Sequence, residues 1–179
     1  MVALFPGHIG KDSGAVGKTA SGFHYVESAV NLAISHKVGM LLDQIGINNS
    51  TYMGSLEGRV EKSKGSTIGI SIHADYIADK NISGYHIIHY PESLGGDLLS
   101  CLIDESLEEY HLKRARKHHN RADIYILRKT AFPTILIETG FLSNEENCKA
   151  LHDRKTQWRM AHAIVHGIVR YNKTGVHEL

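Results

Sequence analysis

Cysteine is scarce in this 179-residue chain: Cys101 and Cys148 are far apart and fall in no CxxC pattern. That argues against a cysteine-built zinc site and leaves a disulfide unsupported; two buried free thiols are expected. An excess of charge is lacking too. Twenty Lys and Arg against 19 Asp and Glu give a formal net charge of +1, so nucleic-acid binding driven by bulk charge is not expected. No apolar run approaches the roughly 18 residues of a membrane helix, which argues against membrane insertion. The opening MVALFPGHIG lacks the charged start and the apolar stretch of a secretory signal peptide. The expectation is a soluble product made in the cytoplasm, which another agent must release if it works outside. With no repeat, low-complexity tract or internal linker, a single domain over 1–179 is expected.

What is present is an ordinary hydrophobic fraction, 42%, and 13 histidines. A chain of this length buries a core without disulfides or oligomerisation, and the histidines raise the prospect of metal or proton chemistry. Short apolar runs alternate with helical patterns, the mark of an α/β layer architecture. Val2 to Phe5 reads as a first strand broken by Pro6-Gly7-His8, and residues 9–22 as a loop. Glu27, Val30, Ile34, Val38, Leu41 and Ile45 follow at helical spacing, with Gly46 as terminator. Further strands are expected at Ile68 to His73, Tyr85 to Tyr90, Ile124 to Leu127 and Thr134 to Ile137. Helices are expected over 94–112, with Leu98, Leu102 and Leu107 inward, and around Trp158, Ala161, Val165 and Ile168. The polar tail from Asn172 is expected to fray.

The unusual polar residues fall at the ends of these runs. His8, His73 and Glu138 each close an apolar strand, and the carboxyl ends of strands are where open α/β sheets bind ligands. Glu27 sits in the first turn of a helix, on its apolar stripe, where a carboxylate is costly unless paired or metal-bound. His8, Glu27 and His73 make a His₂Glu set, and catalytic zinc takes three such ligands with a fourth position for water. Glu138, in TILIETGF, is the candidate proton acceptor, because burial there raises a carboxyl pKa. Each residue also has a bland reading. A strand-end histidine is often structural, and a glutamate in a first helical turn favours the helix dipole. It is their conjunction that points to a metallohydrolase.

These blocks resemble the zinc amidases of the amidase-3 family, bacterial autolysins and phage endolysins. PGHIGKDSGAVG (6–17) is similar to that family's first zinc motif, the stretch from Glu27 to its second, and GISIHAD (69–75) to its third. ADIYILRKTAFP and TILIETGFLSN (122–144) resemble its last block, where Glu138 matches the catalytic glutamate. Arg59 stands where the family commonly has an arginine, whereas Asp75 replaces its usual Asn after SIHA. The resemblance implies a twisted, mostly parallel mixed sheet of about six strands flanked by helices on both faces. It implies one catalytic Zn²⁺ held by His8, Glu27 and His73, and peptidoglycan as the partner. The implied reaction is hydrolysis of the amide between the lactyl group of N-acetylmuramic acid and L-alanine. No wall-binding module is visible, a monomeric catalytic domain is expected, and the span from His73 to Glu138 is too short for an autoinhibitory insertion. An open site without a secretion signal suggests a phage endolysin.

Other features carry two readings each. Arg128 holds a substrate carboxylate or is a surface ion-pair partner, and Asp75 contacts substrate or supports the site. KRARKHHNR (113–121) is a solvated loop or a contact for anionic wall polymers. His162 and His166 have metal-ligand spacing, but the run HAIVH lacks the Glu of HExxH. Glycines 7, 10, 14 and 17 match no phosphate loop and read as backbone freedom around His8. Two competing functions remain: a zinc peptidase cutting within the stem peptide, and a catalytically silent peptidoglycan-binding module.

Overall fold

The structure, a computed structural model, describes residues 1–176. Its centre is a six-stranded sheet built from β1 (Val2–Pro6), β4 (Asn49–Thr51), β5 (Ile68–Asp75), β6 (His86–His89), β7 (His119–Asn120) and β8 (Thr134–Phe141). Their order across the sheet is β4-β1-β5-β8-β6-β7. All neighbours run parallel except β6 against β8, so the sheet is mixed and mostly parallel, as expected. A separate antiparallel hairpin pairs β2 (Val16–Lys18) with β3 (His24–Val26).

Side chains alternate across a strand, and here both sets are covered. Leu4, Ile70, Ile72, Ile135 and Ile137 pack on one face against α1 (Glu27–Gln44), α3 (Leu94–Glu109) and α6 (Arg154–Lys173), through Ile34, Leu99, Ile103, Ile164 and Ile168. Ala3, Phe5, Ile88 and Leu136 face the other way, onto Ile126 and Leu127 of α4 (Tyr125–Lys129). The short helix α2 (Leu56–Lys62) lies beside α4, and α5 (Glu145–His152) against α6. Burial on both faces explains why the central strands read as near-continuous apolar runs. Each fully buried Ile or Leu contributes about 1.5–3 kcal/mol.

Several expectations change. Ile124 to Leu127 is not a strand: it enters α4, a short helix. A four-residue apolar run fits either period, and here Ile126 and Leu127 are buried together against the sheet, with Arg128 exposed. The loop over 9–22 contains β2, and the β2–β3 hairpin stands between the first strand and the helix that Glu27 opens. In α3 the deepest positions are Leu99, Ile103 and Leu107, while Leu98 and Leu102 pack at the margin of the core. Ile45 ends outside the α1 stripe, 52% exposed, but Gly46 does terminate the helix, at φ +73°. Asn172 and Lys173 are still helical, and the Tyr171 hydroxyl donates to the Val176 carbonyl, so the tail is ordered that far. Residues 177–179 of the expected frayed tail lie outside the described residues. Cys101 and Cys148 are free thiols, and only Cys148 is buried. Among the described residues no helix is long and apolar enough to cross a membrane.

Candidate metal centre

The parallel strands β1, β5 and β8 end at one edge. The chain leaves β1 at Pro6 and reaches His8 in a left-handed conformation, φ +50°. Non-glycine residues adopt that region only when the surroundings hold them there. The Arg59 guanidinium donates to the Pro6 carbonyl at 2.8 Å, and Asn31 donates to the Gly7 carbonyl at 3.0 Å. His73 comes from β5, in register with Glu138 of β8. Glu27 opens α1 and is 4% exposed.

One donor atom each from His8, Glu27 and His73 lies within 4.8 Å of the others, and among the described residues no other His, Cys, Asp and Glu group of three or more does so. His8 Nε2 is 3.4 Å from Glu27 Oε2, and His73 Nδ1 is 3.1 Å from Glu27 Oε1. Tetrahedral ligands at Zn²⁺ bond lengths stand about 3.3–3.4 Å apart, so these spacings suit one ion. The far nitrogen of His8, Nδ1, meets Asp12 Oδ2 at 2.9 Å. Such a carboxylate–histidine contact fixes which nitrogen faces a metal.

Two glycines make room. A Cβ at Gly7 would run into the His73 ring, and one at Gly14 would stand 2.5 Å from Glu27 Oε2. Gly14 also has φ +65°, which only glycine adopts without strain.

Two carboxylates in this space are driven apart. Burial would raise the Glu27 carboxyl, but the His73 hydrogen bond and the Ala15 and Ala74 amides outweigh it and hold Glu27 below its ordinary value. Glu138 goes the other way. Burial first, then the negative Asp75 and Glu27, push it well above the carboxylate range. Its Oε2 is sealed from solvent without a hydrogen-bond partner, although the side chain as a whole is half-buried. A divergent pair of this kind separates a ligand from an acid–base group. The orphaned oxygen and the converging His₂Glu donors fit a hydrated divalent cation.

Around Glu138 stand residues that the sequence pattern did not single out. His86, opposite Glu138 across the β6–β8 pair, meets Asp75 Oδ2 through Nε2 at 3.2 Å and stacks on Phe141 at 5.6 Å. Arg116 reaches the same nitrogen at 3.4 Å. Asp75 is thus paired with His86, which is the first cause that holds its carboxyl low. An alternation-based reading shows His86 only as one inward position of a strand.

His8, Asp12, Arg59, His73, Tyr125 and Ile126 are among the lining of a cavity of about 440 Å³. Arg128 is not brought there; it is exposed and lines a separate cavity of about 380 Å³ with Tyr90, Phe132 and Pro133. The basic segment 113–121 is partly pinned: Arg114 pairs with Asp104 and Glu108. His162 lies near Trp158 and His166 near Glu109, far from forming a metal group.

A mixed α/β sheet that gathers two histidines and two carboxylates, from strand ends and the start of α1, at one edge has the form of a hydrolase site. The amidase-3 family model, described as N-acetylmuramoyl-L-alanine amidase, matches residues 2–170. The chain belongs to that family, and its activity is that of a peptidoglycan amidase. It is similar in structure to the N-acetylmuramoyl-L-alanine amidase AmiC2 of Nostoc punctiforme, at 31% identity and TM-score 0.85 over 96% of both chains. The catalytic domain of CwlV from Bacillus (Paenibacillus) polymyxa var. colistinus superposes at TM-score 0.86 and 25% identity, over 96% of this chain and 97% of that one. The germination-specific N-acetylmuramoyl-L-alanine amidase of Bacillus subtilis (strain 168) is 27% identical over 192 residues, 96% of this chain and 79% of its relative.

Proposed function

We propose that this chain hydrolyses the bond between N-acetylmuramic acid and L-alanine with one zinc ion on His8, Glu27 and His73 and with Glu138 as the catalytic carboxylate. The convergence of the three donors within 4.8 Å supports this reading most directly. When bound, zinc supplies Lewis acidity to the lactyl carbonyl and to the attacking water. Glu27 stays ionised under its three hydrogen-bond donors and aligns both imidazoles. Asp12 holds His8, and Asn31 ties Glu27 to the Gly7 carbonyl. Glu138 takes the proton of water as its oxygen bonds to the carbonyl carbon. It returns that proton to the alanine nitrogen as the C–N bond breaks, leaving a lactyl acid and a free amine.

The cavity beside the ligands has Ile124, Tyr125 and Ile126 as its apolar wall. Between β5 and β8 the chain forms β6, α3, β7 and α4, and only α4 with the residue before it borders that cavity. The few segments that border the cavity support an uninhibited enzyme, for which we propose an endolysin-like lytic role. A soluble muramyl peptide analysed by mass provides the test. Free N-acetylmuramic acid plus an intact peptide beginning in L-alanine is expected. Cleavage inside the peptide would instead make the chain a stem-peptide peptidase, and binding without product would make it a silent module.

A further inference from the structure

Outside the catalytic ligand set, two histidines meet one carboxylate. His89 ends β6, with its side chain 7% exposed. Its Nδ1 lies 3.1 Å from the Tyr90 carbonyl, which can only accept, so Nδ1 carries the hydrogen. His118 is tied in the same manner: its Nδ1 meets Asp104 Oδ2 at 3.3 Å. Asp104 is itself buried and anchored by the Tyr85 hydroxyl at 2.8 Å and by Arg114 at 3.1 Å.

Both Nε2 atoms face Asp97 Oδ1, at 3.4 Å for His89 and 3.5 Å for His118. These contacts exceed the 2.7–3.2 Å of a good N–H···O bond. Each of these two histidine–carboxylate spacings matches a pair of neighbouring ligands around a tetrahedral ion with bonds of about 2.0–2.1 Å, while the two Nε2 atoms stand farther apart. Each histidine also has the carboxylate or carbonyl partner on its far nitrogen that accompanies metal-bound imidazoles.

We propose that His89, His118 and Asp97 form a second metal site for a borderline divalent cation such as Zn²⁺, separate from the catalytic ligands. The three donors do not all lie within 4.8 Å of one another, as the catalytic donors do. The two rings, with centroids 6.2 Å apart, therefore close on the ion as it binds. Asp97, 57% exposed in the first turn of α3, leaves an approach for the ion and room for water as a fourth ligand. The ion ties the segment after α3 back onto α3 and β6. That segment carries Arg116, which reaches the His86–Asp75 pair beside Glu138. Occupancy therefore steadies one wall of the catalytic site from the opposite end of β6.

Metal stoichiometry tests this without recourse to activity. The full chain is stripped with chelator and titrated with Zn²⁺, and with Co²⁺ monitored by visible absorption. The unaltered chain is expected to bind about two equivalents, and His118→Ala or Asp97→Asn about one. The double variant His8→Ala, His73→Ala keeps about one equivalent, at the weaker site. Adding His118→Ala to that double variant abolishes the remaining cobalt spectrum, with circular dichroism as the folding control. A single equivalent in the unaltered chain, lost entirely in the double variant, would overturn the second site and leave the catalytic assignment standing. Retention of the second equivalent in both His118→Ala and Asp97→Asn would also overturn it.

Discussion

Glu138 carries opposite demands on stability and turnover. Its folded proton affinity is raised by burial and by Asp75 and Glu27. Its contribution to stability is therefore complete below the unfolded value of about 4.5 and declines as pH rises through the folded one. Glu138→Gln removes that ionisation, so in chelator-treated protein at pH 8 it should raise Tm, by about 2–4 °C for each kcal/mol relieved. Turnover should vanish while zinc is retained; a lower Tm with near-normal rates would refute both the burial argument and the catalytic role. Asp12 meets His8 Nδ1 through one carboxylate oxygen and accepts the Gly14 amide with the other. Asp12→Asn should keep the fold and weaken zinc binding about 10–100-fold, read by competition with a chromophoric chelator, and unchanged affinity would show that the Asp12 contact does not orient the ligand. His8→Ala and His73→Ala should lose both zinc and activity; full metal occupancy in either would remove it from the ligand set.

At the scale of elements, the strand ends were the legible part. His8, His73 and Glu138 announce themselves because an ionisable residue closing an apolar run is conspicuous, and β5 and β8 do set His73 beside Glu138. Glu27 was legible as a charge on the α1 stripe, and it is buried in the first turn of that helix. The elements that sequence patterning missed are short or lack a clear period. β4 pairs along the sheet edge through three residues, and α2 is seven residues of mostly exposed surface. The segment at α4 is too brief for alternation and helical periodicity to differ. His86 and Asp12 owe their places to register and loop geometry, which no spacing within one segment encodes. The β1–α1 connection also makes a prediction. Gly14→Ala would force a Cβ against Glu27 and His8 at a positive φ, so it should lower zinc content and Tm together, whereas Gly10→Ala, with open space around it, should affect metal far less. Equal loss of metal in both would mean that backbone strain alone, not crowding of the ligands, governs the loop.

Over the whole molecule, a sheet covered on both faces fixes the ligand elements in one frame, so the site is assembled by folding rather than by any single motif. Titration of the frame should be visible in stability. His119 and His152 are both held below the ordinary histidine value, first by burial. The unfolded chain then binds more protons than the folded one, so their contribution is present above about pH 6.5 and is lost as pH falls through and below it. The Tm of chelated protein should therefore decline between pH 7 and 5, and replacing His152 by Gln should flatten that decline; an unchanged slope would dissociate the histidine from acid sensitivity.

Metal-dependent release of the stem peptide is read out by digestion of purified peptidoglycan. New amino termini and new reducing sugar ends are measured before chelation, after it, and after zinc is restored. New L-alanine amino termini, no new reducing ends, loss of both product and zinc on chelation, and recovery with zinc are expected. Undiminished release of L-alanine termini from fully metal-free protein would rule out zinc-dependent hydrolysis.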